Sequence, residues 1–360
     1  MTIHLPRGPV MVDLEGDVLT PAERLRLLHP QVGAVILFRR NFSSVEQLRA
    51  LTAQIHTLRS PHLLIAVDHE GGRVQRFLSG FTRLSPMQVL GELWQHASEH
   101  ACRAAESVGY VLAAELRASG IDLSFTPVLD LDYGRCAVIG NRAFAGDSAV
   151  VSALACALAR GLVRGGMVAC GKHFPGHGWV EGDSHHVIPE DNRDYAALER
   201  DDLQPFVALI NAGMAAVMPA HVIYHAIDPN PAGFSPFWLQ TVLRQRLGFD
   251  GTIFSDDLCM EGAAGVGDIV ARATAAFDAG CDMALVCNRP DLADTLLAAW
   301  QRAVPSSLAT LLARMAGQGE VSAWQDTIAS AEFAAEQARV TSLLPAAPRF
   351  SVGPAVGEAS

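Results

Sequence analysis

Eight short apolar runs, at 10–12, 34–37, 63–67, 123–125, 167–170, 216–218, 252–254 and 283–286, recur along this chain with longer helix-like stretches between them. The runs are continuously hydrophobic rather than alternating, the mark of strands buried on both faces. The intervening stretches at 45–58, 99–118, 150–164, 195–211, 236–247 and 269–279 read as amphipathic helices. Strand and helix in alternation imply a parallel sheet covered by helices. Eight strands over about 290 residues suit a (β/α)8 TIM-type barrel better than an open sheet.

The polar residues support the barrel. Asp13 and Glu15, Asp68-His69-Glu70, Asp130, Lys172-His173, His221, Asp256-Asp257 and Asn288 all fall just after the apolar runs. In a (β/α)8 barrel these strand ends converge on one face, whereas an open doubly wound sheet focuses two or three of them at its switch point. No Gly-x-Gly-x-x-Gly turn follows the first run, which argues against a dinucleotide fold. The expected plan is a barrel over residues 1–304 and C-terminal helices packed on it over 305–343, from alanine-rich patterns at 307–315 and 322–340. A disordered tail is expected over 344–360.

Composition excludes several function classes. A net charge of -11 with no basic stretch argues against nucleic acid as a partner. No apolar run reaches the roughly 18 residues of a membrane helix, and the first residues lack the apolar core of a signal peptide. Seven scattered cysteines without a Cys-x-x-Cys pair read as reduced thiols. A soluble, cytoplasmic monomer is expected, working without a cofactor.

The chain holds 27 Lys+Arg, yet only Lys172 is a lysine. It lies in Lys172-His173-Phe174-Pro175-Gly176-His177-Gly178, a knot of polar and turn residues foreign to an ordinary core. Its ammonium is a compact point charge that an arginine fork does not replace. A second segment, Asp68-His69-Glu70-Gly71-Gly72-Arg73-Val74-Gln75-Arg76, suits a grip on a hydroxyl-rich ligand. Within it Asp68 and Arg76 are expected to touch ligand, and Glu70 and Arg73 to pair with each other. Arg142, in Gly140-Asn141-Arg142-Ala143-Phe144, is a weak signal alone.

Two positions separate Asp183 from His185, so in an extended stretch they project to one side. A carboxylate beside an imidazole fixes its tautomer and favours a proton shuttle near neutral pH. The glycines at 176, 178 and 182 are expected to let this loop move. Asp256, directly after a buried strand, is held as a carboxylate nucleophile requires. Its neighbour Asp257 is expected to cap the following helix.

Other readings stand beside this one. His173, His177, His185 and Asp183 could form a metal site, although a barrel metallohydrolase usually carries His-x-His where this chain has Asp13-Leu14-Glu15. Lys172 could form a Schiff base as in a class I aldolase. A non-catalytic sugar sensor on the same barrel is the third.

Jointly, the Lys-His-Phe-Pro-Gly-His-Gly run, the Asp-Ser-His-x-x-x-Pro run at 183–189 and Ser255-Asp256-Asp257-Leu258-Cys259-Met260-Glu261-Gly262 resemble glycoside hydrolase family 3. The likeness spans about residues 8–289, and it is strongest to the single-domain bacterial β-N-acetylglucosaminidases of cell-wall recycling. It implies a retaining enzyme that removes terminal GlcNAc from muropeptide, a small-molecule carbohydrate partner. By matched position, Asp256 would be the nucleophile and His185, polarised by Asp183, the acid/base. Asp68, Arg76, Arg142, Lys172 and His173 would bind the sugar. The general scheme uses two carboxylates about 5 Å apart, so a histidine shuttle is a departure. His69 and Ala143 stand where relatives often have glutamine and serine.

Overall fold

The structure, a computed structural model, describes residues 3–181, 189–319 and 322–344. Asp183, His185 and the tail beyond 344 lie outside these. The barrel strands are β1 (Val10–Asp13), β2 (Val32–Leu37), β3 (Leu64–Val67), β4 (Leu123–Ser124), β5 (Cys170–Phe174), β6 (Ala216–Pro219), β7 (Thr252–Asp257) and β8 (Met283–Val286). They form an 8-stranded sheet in the order β4-β3-β2-β1-β8-β7-β6-β5 with every pairing parallel. The remaining seam, between β4 and β5, is closed by the segment after β4. Cys170 N–H donates to the Thr126 carbonyl at 2.9 Å, Leu129 N–H donates to the Lys172 carbonyl at 2.6 Å, and Val128 bridges Lys172. The result is the expected TIM-type barrel.

Alternation along each strand separates two cores. Met11, Ala34, Ile36, Leu64, Ala66 and Phe254 belong to the barrel interior. Val10, Val12, Val35, Ile65, Val67 and Ile253 pack outward against the helices. Period-2 geometry makes this automatic once a strand is buried on both faces.

Helices α1 (Pro21–Leu27), α2 (Val45–His56), α3 (Gln88–Ala118), α4 (Ser148–Arg164), α5 (Tyr195–Arg200), α6 (Leu203–Asn211), α7 (Ile269–Ala279) and α8 (Pro290–Ala299) cover the strands, with a π-helix at Phe237–Arg246. Local chemistry starts several of them. Thr20 and Glu23 form a reciprocal capping box on α1, and Ser44, Asp147, Asp194 and Asp268 accept from first-turn amides of α2, α4, α5 and α7. The single helix expected at 195–211 is two, because the chain turns at Asp201-Asp202. There Asp202 is buried and receives Arg193 Nη1 and Tyr133 Oη at 2.7 and 2.9 Å.

The C-terminal helices are α9 (Ser306–Met315), α10 (Trp324–Ala329) and α11 (Ala331–Thr341). Leu308, Leu312 and Met315 of α9 join the interior cluster of the barrel and close its N-terminal end. Helix α11 packs on α3, burying Phe333 and Val340 and accepting the Ser107 hydroxyl on Glu336 at 2.6 Å.

Candidate active site

The third strand carries Asp68 past its C-terminal end, and a short hairpin, His69–Gly71 against Val74–Gln75, follows. Gly71 and Gly72 turn it at φ +115° and +56°, and a Cβ on Gly71 would lie 2.7 Å from the Ser85 carbonyl. The turn aims Glu70 inward and Arg76 back toward Asp68.

The fifth strand does not end at Cys170, as its apolar run suggests. It continues through Lys172 and His173 to Phe174, and Lys172 stands opposite Met218 of β6. The whole run Lys172 to Gly178 is buried, against its loop-like composition. What makes a buried lysine tolerable is its partners. Lys172 Nζ donates to Asp68 Oδ1 at 2.6 Å and lies 2.7 Å from Glu70 Oε1.

Glu70 in turn accepts a two-pronged grip from Arg142, Nε and Nη2 each at 2.8 Å. The expected Glu70–Arg73 pair is therefore corrected. Arg73 reaches the carbonyls of Ala137 and Val138, because the tight turn points it away from Glu70 toward the 137–139 backbone. Asp68 Oδ2 lies 3.7 Å from Arg76 Nη2. Three cations and two carboxylates thus share one floor. Burial alone would raise the Glu70 carboxyl, but Arg142 and Lys172 hold it well below the usual carboxylate range. For Lys172 burial works against the charge, yet Asp68 and Glu70 outweigh it and raise its pKa. A Schiff-base lysine needs the opposite shift, since the neutral amine is the nucleophile.

Beside this floor sits a histidine pair. Asp130, buried after β4, accepts from the main-chain N–H of His177 at 2.7 Å and pairs with His173 Nδ1 at 2.7 Å. Burial first, and then the neighbouring His173, lower the pKa of His177 to about 4, so it is neutral at pH 7. Its Nδ1 lies 3.4 Å from Cys136 Sγ. His173 and His177 thus each turn a ring nitrogen to a protein partner. Gly178 has a packing role, since a Cβ there would lie 1.8 Å from the Leu131 carbonyl. That corrects the expectation of freedom at this glycine, which owes its place to close approach.

Asp256 and Asp257 end β7, both half-buried. Asp257 N–H donates to Asp256 Oδ1 at 2.8 Å and orients that carboxylate. Asp257 does not cap a helix. Its Oδ1 accepts from Cys259 N–H at 3.0 Å and from Cys287 N–H at 3.1 Å, tying the end of β7 to the residue after β8. Burial pushes the Asp257 carboxyl up to about 7, with Asp256 and Asp13 adding to the shift. Asp13 makes a similar clamp, taking the Asn288 N–H at 2.7 Å and an arginine hydrogen of Arg40.

The structure therefore brings Asp68, Arg76, Arg142, Lys172 and His173 to the C-terminal face that also carries Asp256. Sequence reasoning undervalued Glu70, which organises both Arg142 and Lys172; it noted Asp130 only as a strand-end polar residue and His177 only as a candidate metal ligand. A carboxylate a few residues beyond a strand run was the available signal for Asp130. For Glu70 none exists, because its partner Arg142 is 72 residues away.

The Glycosyl hydrolase family 3 N terminal domain matches residues 12–313. A β-hexosaminidase from Chromobacterium violaceum is 64% identical over 358 residues, covering 99% of this chain and 100% of that protein. The crystal structure of native NagZ from Neisseria gonorrhoeae superposes with a TM-score of 0.91 at 54% identity, over 96% of this chain and 100% of that one. NagZ from the same organism in complex with N-trifluoroacetyl-D-glucosamine gives 0.90 at 55% identity, over 95% and 99%. With a matching barrel, full-length likeness and a charged pocket at the expected strand ends, this chain belongs to glycosyl hydrolase family 3.

Proposed function

We propose that this glycoside hydrolase is a retaining exo-β-N-acetylglucosaminidase that removes terminal GlcNAc from muropeptides. The substrate is GlcNAc linked β-1,4 to 1,6-anhydro-N-acetylmuramic acid, with or without peptide, met in the cytoplasm during peptidoglycan recycling. The observation that carries the reading is the Asp68–Lys172–Glu70–Arg142 cluster, buried except for a partly exposed Asp68, on the same barrel face as Asp256. Such a floor of fixed charges and hydrogen-bond donors suits a compact polyhydroxylated ring. The relatives named β-hexosaminidase and the NagZ complex with a glucosamine derivative point the same way.

In this mechanism Asp68, Arg76, Arg142, Lys172 and His173 hold the sugar over β7. The Asp256 carboxylate attacks the anomeric carbon, while His185 gives its proton to the departing glycosidic oxygen. The resulting ester is cleaved by water, whose proton returns to His185 as Asp256 is released. Asp183 orients the imidazole and stabilises its charged form. An unperturbed histidine pKa near 6.5 lets one group give and take the proton at near-neutral pH.

The test is nitrophenolate release from 4-nitrophenyl β-N-acetylglucosaminide with EDTA present. Wild type is expected to turn over, and Asp256→Ala to lose about 10⁴-fold in kcat, the scale of removing one member of a catalytic unit. No release by folded wild type would overturn the glycosidase reading, and an active Asp256→Ala enzyme would overturn the nucleophile.

A further inference from the structure

At the opposite end of the barrel three side chains from separate elements converge. His56 closes α2, His62 lies just before β3, and Asp122 lies just before β4. One donor atom from each falls within 4.8 Å of the other two. His56 Nε2 stands 3.7 Å from Asp122 Oδ2, and His62 Nε2 stands 3.8 Å from Asp122 Oδ1.

The plain alternative is a pair of histidines bonded to one carboxylate. The distances oppose it. Where this protein makes such a bond, at His173 and Asp130, the atoms close to 2.7 Å. Here both imidazoles stop about an ångström further out, and both Nε2 atoms are buried without a hydrogen-bond partner. Two unpartnered buried nitrogens aimed at one carboxylate leave room between them for a cation.

Divalent zinc takes nitrogen at about 2.0–2.1 Å and carboxylate oxygen at about 2.0–2.2 Å, which places donors of a tetrahedral centre about 3.3 Å apart. A shift of roughly half an ångström brings each imidazole nitrogen to that spacing from its own carboxylate oxygen. The two nitrogens, within 4.8 Å of each other, close by up to about 1.5 Å, and the rings, with side chains 29% and 41% exposed, have room to make it. Asp122 is already fixed, accepting Ile65 N–H at 2.9 Å and Arg117 Nη1 at 3.3 Å. Two imidazoles and one carboxylate suit a first-row divalent ion of the zinc and cobalt type rather than calcium or magnesium. A water would complete the four-coordinate set.

We propose that His56, His62 and Asp122 form a zinc-type metal site at the N-terminal end of the barrel. The ion ties the second helix to the starts of the third and fourth strands. It lies on the face where a barrel is stabilised, away from the face where chemistry is done.

Cobalt(II) alone is the probe, added to the full chain after chelation. Wild type, the double variant His56→Gln/His62→Gln and, separately, His185→Ala are compared by equilibrium dialysis and visible absorption. Wild type and His185→Ala are expected to bind about one equivalent with the intense d–d bands of a four-coordinate centre, and to melt at a higher temperature when loaded. The double variant is expected to lose that equivalent and the rise in melting temperature, and to keep wild-type turnover of the nitrophenyl substrate. Unchanged binding in the double variant would overturn the proposal. So would loss of the equivalent in His185→Ala alone, or a wild type that binds none. Because turnover is read separately, failure here is distinct from failure of the glycosidase reading.

Discussion

At the N-terminal end of the barrel, Leu308, Leu312 and Met315 of α9 fill the interior with hydrocarbon. At the C-terminal end Lys172, Arg142, Arg76, Glu70 and Asp68 fill it with charge. The first filling stabilises through burial and close packing, at about 25 cal/mol per Å² of apolar surface. The second holds only while every charge keeps its counter-ion, because a lone buried ion costs several kcal/mol. One end can lose a methyl group and keep its character; the other tolerates no single omission. Holding charges in place before substrate arrives is also what binding and catalysis require.

The largest effect that would sharpen this contrast is on chemistry. His185→Ala is expected to lose about 10² to 10⁴-fold on a natural disaccharide and little on a nitrophenyl glycoside, whose leaving group needs no proton. Equal loss on both, in parallel kcat measurements, would remove the acid/base assignment. Next comes Glu70→Gln, which leaves Arg142 without its carboxylate. Urea titration should show a loss of about 3–5 kcal/mol, together with weaker substrate binding. Stability unchanged within error would break the claim that the charged end depends on complete pairing.

Leu312→Ala at the hydrocarbon end should cost about 2–5 kcal/mol through the cavity it leaves. Unlike Glu70→Gln, it should leave kcat and KM per folded molecule unchanged. A changed KM would show that the two ends are coupled.

The smallest effect separates two buried glutamates. Among the described residues no cation pairs with Glu115; burial pushes its carboxyl up to about 7, although Thr82 donates to it through N–H and hydroxyl. A carboxyl raised in the folded state binds more protons there than in the unfolded chain. Its contribution is therefore complete below about pH 4.5 and is lost as pH rises to about 7. Glu70, held low, works in the opposite sense, adding stability above its unfolded pKa that disappears in acid. Glu115→Gln should flatten the decline between pH 4.5 and 7 by up to about 3 kcal/mol, measured as unfolding free energy against pH. A slope identical to wild type would show that Glu115 is ionised throughout.

Much of the fold was legible in the chain because a strand buried on both faces must be apolar throughout. All eight runs fall on or beside barrel strands. The fifth shows the limit. Met167-Val168-Ala169-Cys170 is the apolar stretch, yet the strand is Cys170–Phe174. Lys172 is placed in a sheet by Asp68 and Glu70, about a hundred residues earlier. Local composition carries no trace of such a partner. The Asp257 clamp escaped for the same reason, since its second donor, Cys287 N–H, comes from beyond another strand.

The sequence alone determined the alternation of strand and helix, helices beginning near residues 45, 150 and 269, and the polar residues at the strand ends. Each depends on residues within a few positions of one another, where propensity and capping act. Tertiary structure alone decided which charge meets which: Glu70 with Arg142, Asp130 with His173 and His177, and two histidines around Asp122. These pairings rest on Coulomb and hydrogen-bond energies that become large only where water is excluded, and barrel closure is what excludes it.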